Sequence, residues 1–274
     1  MNNSILYSTS FIETVEFANS NSMFIGTGNP NSKILIIGKE AAISANNTEQ
    51  YNREMKDNPK DWRRNFESNI QPCDVGSWFS QPNPVYNPLY PYKDQLNKIL
   101  SRNKDGEIIR GDGGTSKTWH NYQKLSDTLF NDGLKSSHIN FHEFIFCSEL
   151  NEITGKYSHH VPRSVRFDSI QNRKEIFKQP FFQQFPITIV AVGHYVRDFE
   201  IDLQGMFDVT FNEAESKELS LGLRSDFINI HYGSNDPGRL LIHTNQLSMV
   251  SSELTDRLGK VCSNFLNRNN TKTS

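Results

Sequence analysis

Glu40 and His243 are the two residues whose types and positions point to chemistry. Glu40 follows the apolar run Lys33-Ile34-Leu35-Ile36-Ile37-Gly38, and His243 closes the run Leu240-Leu241-Ile242-His243. If both runs are parallel strands, the residues just past their carboxyl ends face one cleft. A carboxylate and an imidazole converging there could serve as base or charge stabiliser and as hydrogen-bond donor. Two more runs, Phe144-Ile145-Phe146-Cys147 and Ile187-Thr188-Ile189-Val190-Ala191-Val192-Gly193, bring Ser148, Glu149 and Asn151, and then His194 and Tyr195, to the same edge. Most α/β proteins place some polar groups there, and a lone histidine is more often a satisfied structural residue.

The elements that must hold these residues follow from periodicity. Continuous rather than alternating β-branched runs suggest strands buried on both faces. Between them Thr118 to Phe130 carries Trp119, Tyr122, Leu125 and Leu129 at helical spacing. Asp168 to Phe177 reads as a second helix. Leu247 to Leu266 reads as a third, opened by Ser248 as cap. Strand–helix alternation predicts an α/β fold, a three-layer α/β/α arrangement around a central, mostly parallel four-stranded sheet. Residues 44–117, rich in proline and asparagine, read as a long excursion between the first two strands, and loops of that length usually have a task. Residues 206–231 suggest a β-hairpin. No repeat or linker divides the chain, so one domain is expected over 1–266, with a polar, frayed tail over 267–274.

Composition sets bounds. The chain has 274 residues, with 19 Phe, 9 Tyr and 3 Trp, too many aromatics for disorder. No run of about 18 apolar residues occurs, so no membrane span is expected. The first residues lack a basic segment and a cleavage site, so no signal peptide is expected. Cys73, Cys147 and Cys262 are scattered, which fits neither a disulfide framework nor a metal knuckle, and points to a reducing cytoplasmic compartment. The adjacent pair His159-His160 lacks ligand spacing, so no metal is expected. A net charge of -2 argues against holding DNA by bulk electrostatics. Residues 155–178 still offer a local basic stretch, with Lys156, Arg163, Arg166, Arg173, Lys174 and Lys178 against Asp168 and Glu175. Glu149 is a second acid, just past the second of the four runs, expected to pair with Arg163 or Arg166, or else to read an amino group on a nucleobase.

The segment Gly26-Thr27-Gly28-Asn29-Pro30-Asn31-Ser32-Lys33-Ile34-Leu35-Ile36-Ile37-Gly38-Lys39-Glu40-Ala41-Ala42 resembles the first signature of the uracil-DNA glycosylase superfamily. Ile189-Val190-Ala191-Val192-Gly193 is similar to its third strand, and Leu241-Ile242-His243-Thr244-Asn245-Gln246-Leu247-Ser248 to its second signature. The resemblance covers roughly residues 23 to 262. It implies that Glu40 stabilises the sugar cation or activates water. One branch has its acid in that place, while the iron–sulfur branch has it one residue earlier, where this chain has Lys39. It implies that His243 donates to the leaving base and that Leu247 wedges into the duplex. Ser148, or Asn151, falls near the asparagine that reads uracil. The family's Pro-Ser after the histidine is Thr244-Asn245 here, and its Pro-Gly is Ala41-Ala42. The four cluster cysteines are missing, so no cofactor is expected.

The expected activity is therefore hydrolysis of the N-glycosidic bond of uracil or another modified pyrimidine flipped out of DNA, by a monomeric, metal-free glycosylase. Glu40 and His243 are the catalytic candidates. Gly38, Lys39, Ser148, Asn151 and Tyr90 are the base-binding candidates, with Trp78, Phe79, Tyr86 and Tyr92 as further stacking residues, whereas Trp119 and Tyr122 look like helix packing. Thr244, Asn245, Leu247, Ser248, Arg163 and Arg166 are the candidates for DNA, single- or double-stranded. The alternatives are a catalytically lapsed DNA-binding protein of the same fold, a glycosylase retargeted to a bulky modified base in defence against foreign DNA, and an unrelated hydrolase of small nucleotides.

Overall fold

The computed structural model describes residues 4–44, 46–103, 106–155 and 161–270. Its centre is a mixed sheet of seven strands rather than the expected four. In chain order these are β1 (Thr27–Gly28), β2 (Ile34–Gly38), β3 (Ile145–Glu149), β4 (Ile187–Ala191), β5 (Val209–Asn212), β6 (Ile228–Gly233) and β7 (Leu240–Thr244). In space they run β1-β3-β2-β4-β7-β6-β5. β3, β2, β4 and β7 are mutually parallel neighbours. β1 at one edge, and β6 and β5 at the other, are antiparallel. The strand pair near 206–231 is real, but a helix separates its members.

Among the described residues, six helices of eight residues or more flank the sheet: α1 (Thr9–Asn21), α2 (Asn58–Glu67), α3 (Lys117–Phe130), α4 (Arg163–Phe177), α5 (Glu213–Ser220) and α6 (Ser252–Asn270). Every residue of β2, β4 and β7 is buried, as the unbroken apolar runs required. Alternation divides them between two clusters. Leu35, Ile37, Val190 and Leu241 pack with Phe11, Trp62 and Phe177 of α1, α2 and α4. Ile34, Ile36, Ile189 and Ile242 pack with Leu125 of α3 and with Leu254 and Leu258 of α6.

α3 begins where its periodicity starts, with the Ser116 hydroxyl accepting from the Trp119 N–H at 3.1 Å. α6 starts later than expected. Ser251, not Ser248, caps it by accepting from the Leu254 N–H, and the helix runs on to Asn270 into the segment expected to fray. The first-signature glycines serve the edge strand. Gly26 and Gly28 have φ of 149° and 103°, and a Cβ on either would strike a carbonyl of β3. The freed Gly26 carbonyl accepts from Asn58 Nδ2 and Trp62 Nε1, both at 2.8 Å.

Candidate functional site

The parallel strands follow the chain order second, first, third, fourth. The connections therefore reverse direction between β2 and β4, and that switch point is where open α/β sheets hold ligands. Lys39 and Glu40 leave β2 there, and Tyr195 follows β4. The Tyr195 hydroxyl donates to Glu40 Oε2 at 2.9 Å and accepts from Arg166 Nη1 at 3.0 Å. Asn151 approaches the same Glu40 oxygen at 3.5 Å, and its backbone N–H donates to the Lys39 carbonyl at 2.8 Å. Asn151 thus positions Glu40. Lys39 Nζ lies 4.6 Å from the Tyr195 ring centroid, a cation–π distance. Burial lowers the Lys39 ammonium, and Arg166 adds to this, while Glu40 and Asp198 pull the other way. Arg163 and Arg166 stack on Phe199, so three cations rim the switch point.

Glu40 lines a cavity of about 340 Å³ beside this network. That is near the lower end of small-ligand sites, about 300–1,000 Å³. Tyr86, Tyr92, Trp119 and Tyr122 form its aromatic wall, and Glu54 and Glu149 are its other acids. The long excursion earns its length here by supplying Tyr86 and Tyr92. Tyr92 is pinned by Arg53 at 3.0 Å and by Glu54, and it sits at a φ of 50°, an unusual conformation for a bulky residue. Trp119, expected to be packing, faces both the Phe141 ring, 5.7 Å away, and the cavity.

Glu149 is the strongly perturbed acid of this cavity. It pairs with neither Arg163 nor Arg166. Burial and the nearby Glu40 charge push its carboxyl up to about 8, against the opposing pull of Arg173. Arg173 is fully buried, so it leaves the expected basic patch. Its guanidinium donates to the Glu149 carbonyl at 3.0 Å, the Ser148 hydroxyl at 2.9 Å, the Glu152 carboxylate at 2.8 Å and the Phe24 carbonyl. Lys156, His159 and His160 of that patch lie outside the described residues.

Several other expected site residues lie elsewhere. His243 lines a different cavity, with Gly193, His194 and His231. Its Nε2 lies 2.8 Å from the Gly193 carbonyl and its Nδ1 lies 3.3 Å from Asn229 Nδ2. Burial pushes the imidazole down to about 4, so it is neutral at pH 7. A carbonyl only accepts, so the single N–H is spent on Gly193 and none remains for a leaving base. Strand parity explains the divergence. His243, Val190 and Ile37 are register partners, and Val190 and Ile37 belong to the cluster facing α1 and α2. Gly38 and Glu149, also partners, point to the other face.

Ser148 does line the Glu40 cavity, but it donates its single O–H to the Ile25 carbonyl at 2.6 Å and accepts from Arg173, so no donor is left for a base. Tyr90 lines a third cavity, beside Asn29 and His142. Thr244 is buried and donates to the Phe227 carbonyl at 2.6 Å. Asn245 caps the same segment, accepting from the Phe227 N–H at 2.8 Å. Leu247, the expected wedge, is fully buried in the cluster of α3 and α6. Two residues further on, Met249 is 82% exposed. Ser248 is half-buried.

Among the described residues no group of three His, Cys, Asp or Glu side chains could hold a metal ion, and no helix is long and apolar enough to cross a membrane. Comparison with protein-family models, with curated proteins and with solved structures returns no match.

Proposed function

We propose that this chain is a DNA glycosylase that hydrolyses the N-glycosidic bond of a modified pyrimidine extruded into the Glu40 cavity. The observation that carries the reading is the Glu40 carboxylate, held by Tyr195 across the switch point at an aromatic-walled cavity. The four parallel strands, with helices on both faces, are read as the three-layer core that the resemblance implies.

Breaking the bond builds positive charge on the sugar and negative charge on the base. Glu40 beneath the sugar stabilises the cation and orients water. Tyr195 and Asn151 fix which way its oxygens face. Extrusion costs a few kcal/mol. Stacking returns about 1–3 kcal/mol per aromatic, and Tyr86, Tyr92 and Trp119 stand ready for it. Lys39, Arg163 and Arg166 grip phosphate. Met249 takes the place of Leu247 as the apolar side chain free to enter the vacated stack.

The test is a panel of oligonucleotides carrying uracil, hypoxanthine or hydroxymethylcytosine derivatives, scored for abasic sites with the wild type and Glu40→Gln. Abasic product from at least one base, lost in the variant, supports the reading. A second reading, a DNA-binding protein without chemistry, is favoured by the engaged N–H of His243. Tight binding with no abasic product from any base would decide for it.

A further inference from the structure

Glu149 is a carboxyl that the fold does not explain. Its carbonyl is tied to Arg173, but Oε2 is shut away from solvent with no hydrogen-bond partner among the described residues. The side chain lines the same cavity as Glu40. Gly38, its register partner on β2, makes the room: a Cβ there would collide with the carboxyl. A buried polar atom without a partner costs about 1–3 kcal/mol. Such orphans in native proteins need an explanation, and a perturbed acid in a cleft is a functional candidate. With its carboxyl pushed up to about 8, Glu149 keeps its proton at pH 7. A protonated carboxyl sets one O–H donor beside one carbonyl acceptor.

We propose that Glu149 is the leaving-group acid of this cavity, and that the base it serves sets a basic ring nitrogen beside an exocyclic amino group, as cytosine-type pyrimidines do. This rests on the glycosylase reading and narrows its substrate to amino-pyrimidines. The Glu149 carbonyl oxygen accepts from the amino group, and its O–H donates to ring nitrogen N3. As the C1′–N1 bond breaks, its electron pair passes to the base and the Glu149 proton passes to N3, so the base leaves neutral. A water oxygen bonds to C1′ and gives a proton to Glu40. Proton exchange with solvent then restores both carboxyls. Uracil carries N3–H at that place. It can pair with the acid but cannot take its proton there.

The experiment uses the full chain and oligonucleotides bearing one uracil, cytosine, 5-methylcytosine or 5-hydroxymethylcytosine, with abasic sites scored on both sides of pH 8. The wild type should prefer the amino-pyrimidines, and its rate on them should fall about tenfold per pH unit above 8. Glu149→Gln keeps the shape but has no transferable proton. It should lose at least about 10²-fold on these bases, and the alkaline fall should vanish with it. Infrared difference spectra give a readout without turnover: a protonated-carboxyl band at pH 7 in the wild type, absent from Glu149→Gln. Cleavage of uracil alone, at equal rates in wild type and Glu149→Gln, overturns the role of Glu149 and leaves that of Glu40 standing. Absence of the protonated-carboxyl band overturns it as well. No abasic product from any base sinks the glycosylase reading and this inference together.

Discussion

Replacing Glu149 by glutamine should make the protein more stable, and increasingly so as pH rises. The carboxyl titrates at about 8 when folded, against 4.5 for an ordinary glutamate. Between those values the folded state binds the proton that the unfolded state has lost, so stability falls with rising pH across that window. A difference of about 3.5 units at about 1.36 kcal/mol per unit gives about 5 kcal/mol. Water entering the cavity when Glu149 ionises reduces this, which makes the figure a ceiling. Glutamine cannot ionise. The stability of Glu149→Gln relative to wild type should therefore be flat below pH 4.5, climb from there to pH 8 and level off. Urea unfolding of both proteins at a series of pH values reads the difference directly, and titrations not coupled to Glu149 cancel. A difference that stays constant from pH 5 to 8 would mean that Glu149 is already ionised at neutral pH. It would then have no proton to give a base.

His243 is a structural residue on this account. Its folded value of about 4 lies below the unfolded value near 6.5, so the stability it contributes is complete above 6.5 and is lost as pH falls toward 4. His243→Ala should cost about 1–3 kcal/mol at pH 7 by urea unfolding, yet change abasic-site formation only within a few fold. Leu247→Ala should cost about 2–5 kcal/mol by thermal unfolding, because it empties a fully buried site. Met249→Ala should leave Tm unchanged and weaken duplex binding in a fluorescence titration. Tyr195→Phe removes the hydroxyl shared by Glu40 and Arg166, and should lower kcat about tenfold with KM little changed in steady-state assays.

The sheet centre was legible because parallel strands buried on both faces are written as unbroken apolar runs. Ile34–Gly38 and Ile187–Ala191 stand out for that reason. Thr27–Gly28 did not, since so short an edge strand carries too few residues to show a period, and Val209–Asn212 was legible only as half of the hairpin expected over 206–231. Glu40 could be located because a residue just past a parallel strand is placed by topology alone. His243 is different: its face depends on strand parity, and its alternation with Leu240 and Ile242 already set it opposite those two residues. The burial of Leu247 depends on α3 and α6, which pack over it from distant parts of the chain. Glu149 and Trp119 acquire their meaning from each other's company in the cavity, and no local pattern records that.

The role proposed for Glu40 is to stabilise a sugar cation at the switch point. It is met most directly by single-turnover abasic-site formation on the best-cleaved base, comparing wild type with Glu40→Gln at equal DNA occupancy. Glu40→Gln should lose at least about 10²-fold in the chemical step with binding retained. Cleavage undiminished in Glu40→Gln would contradict it.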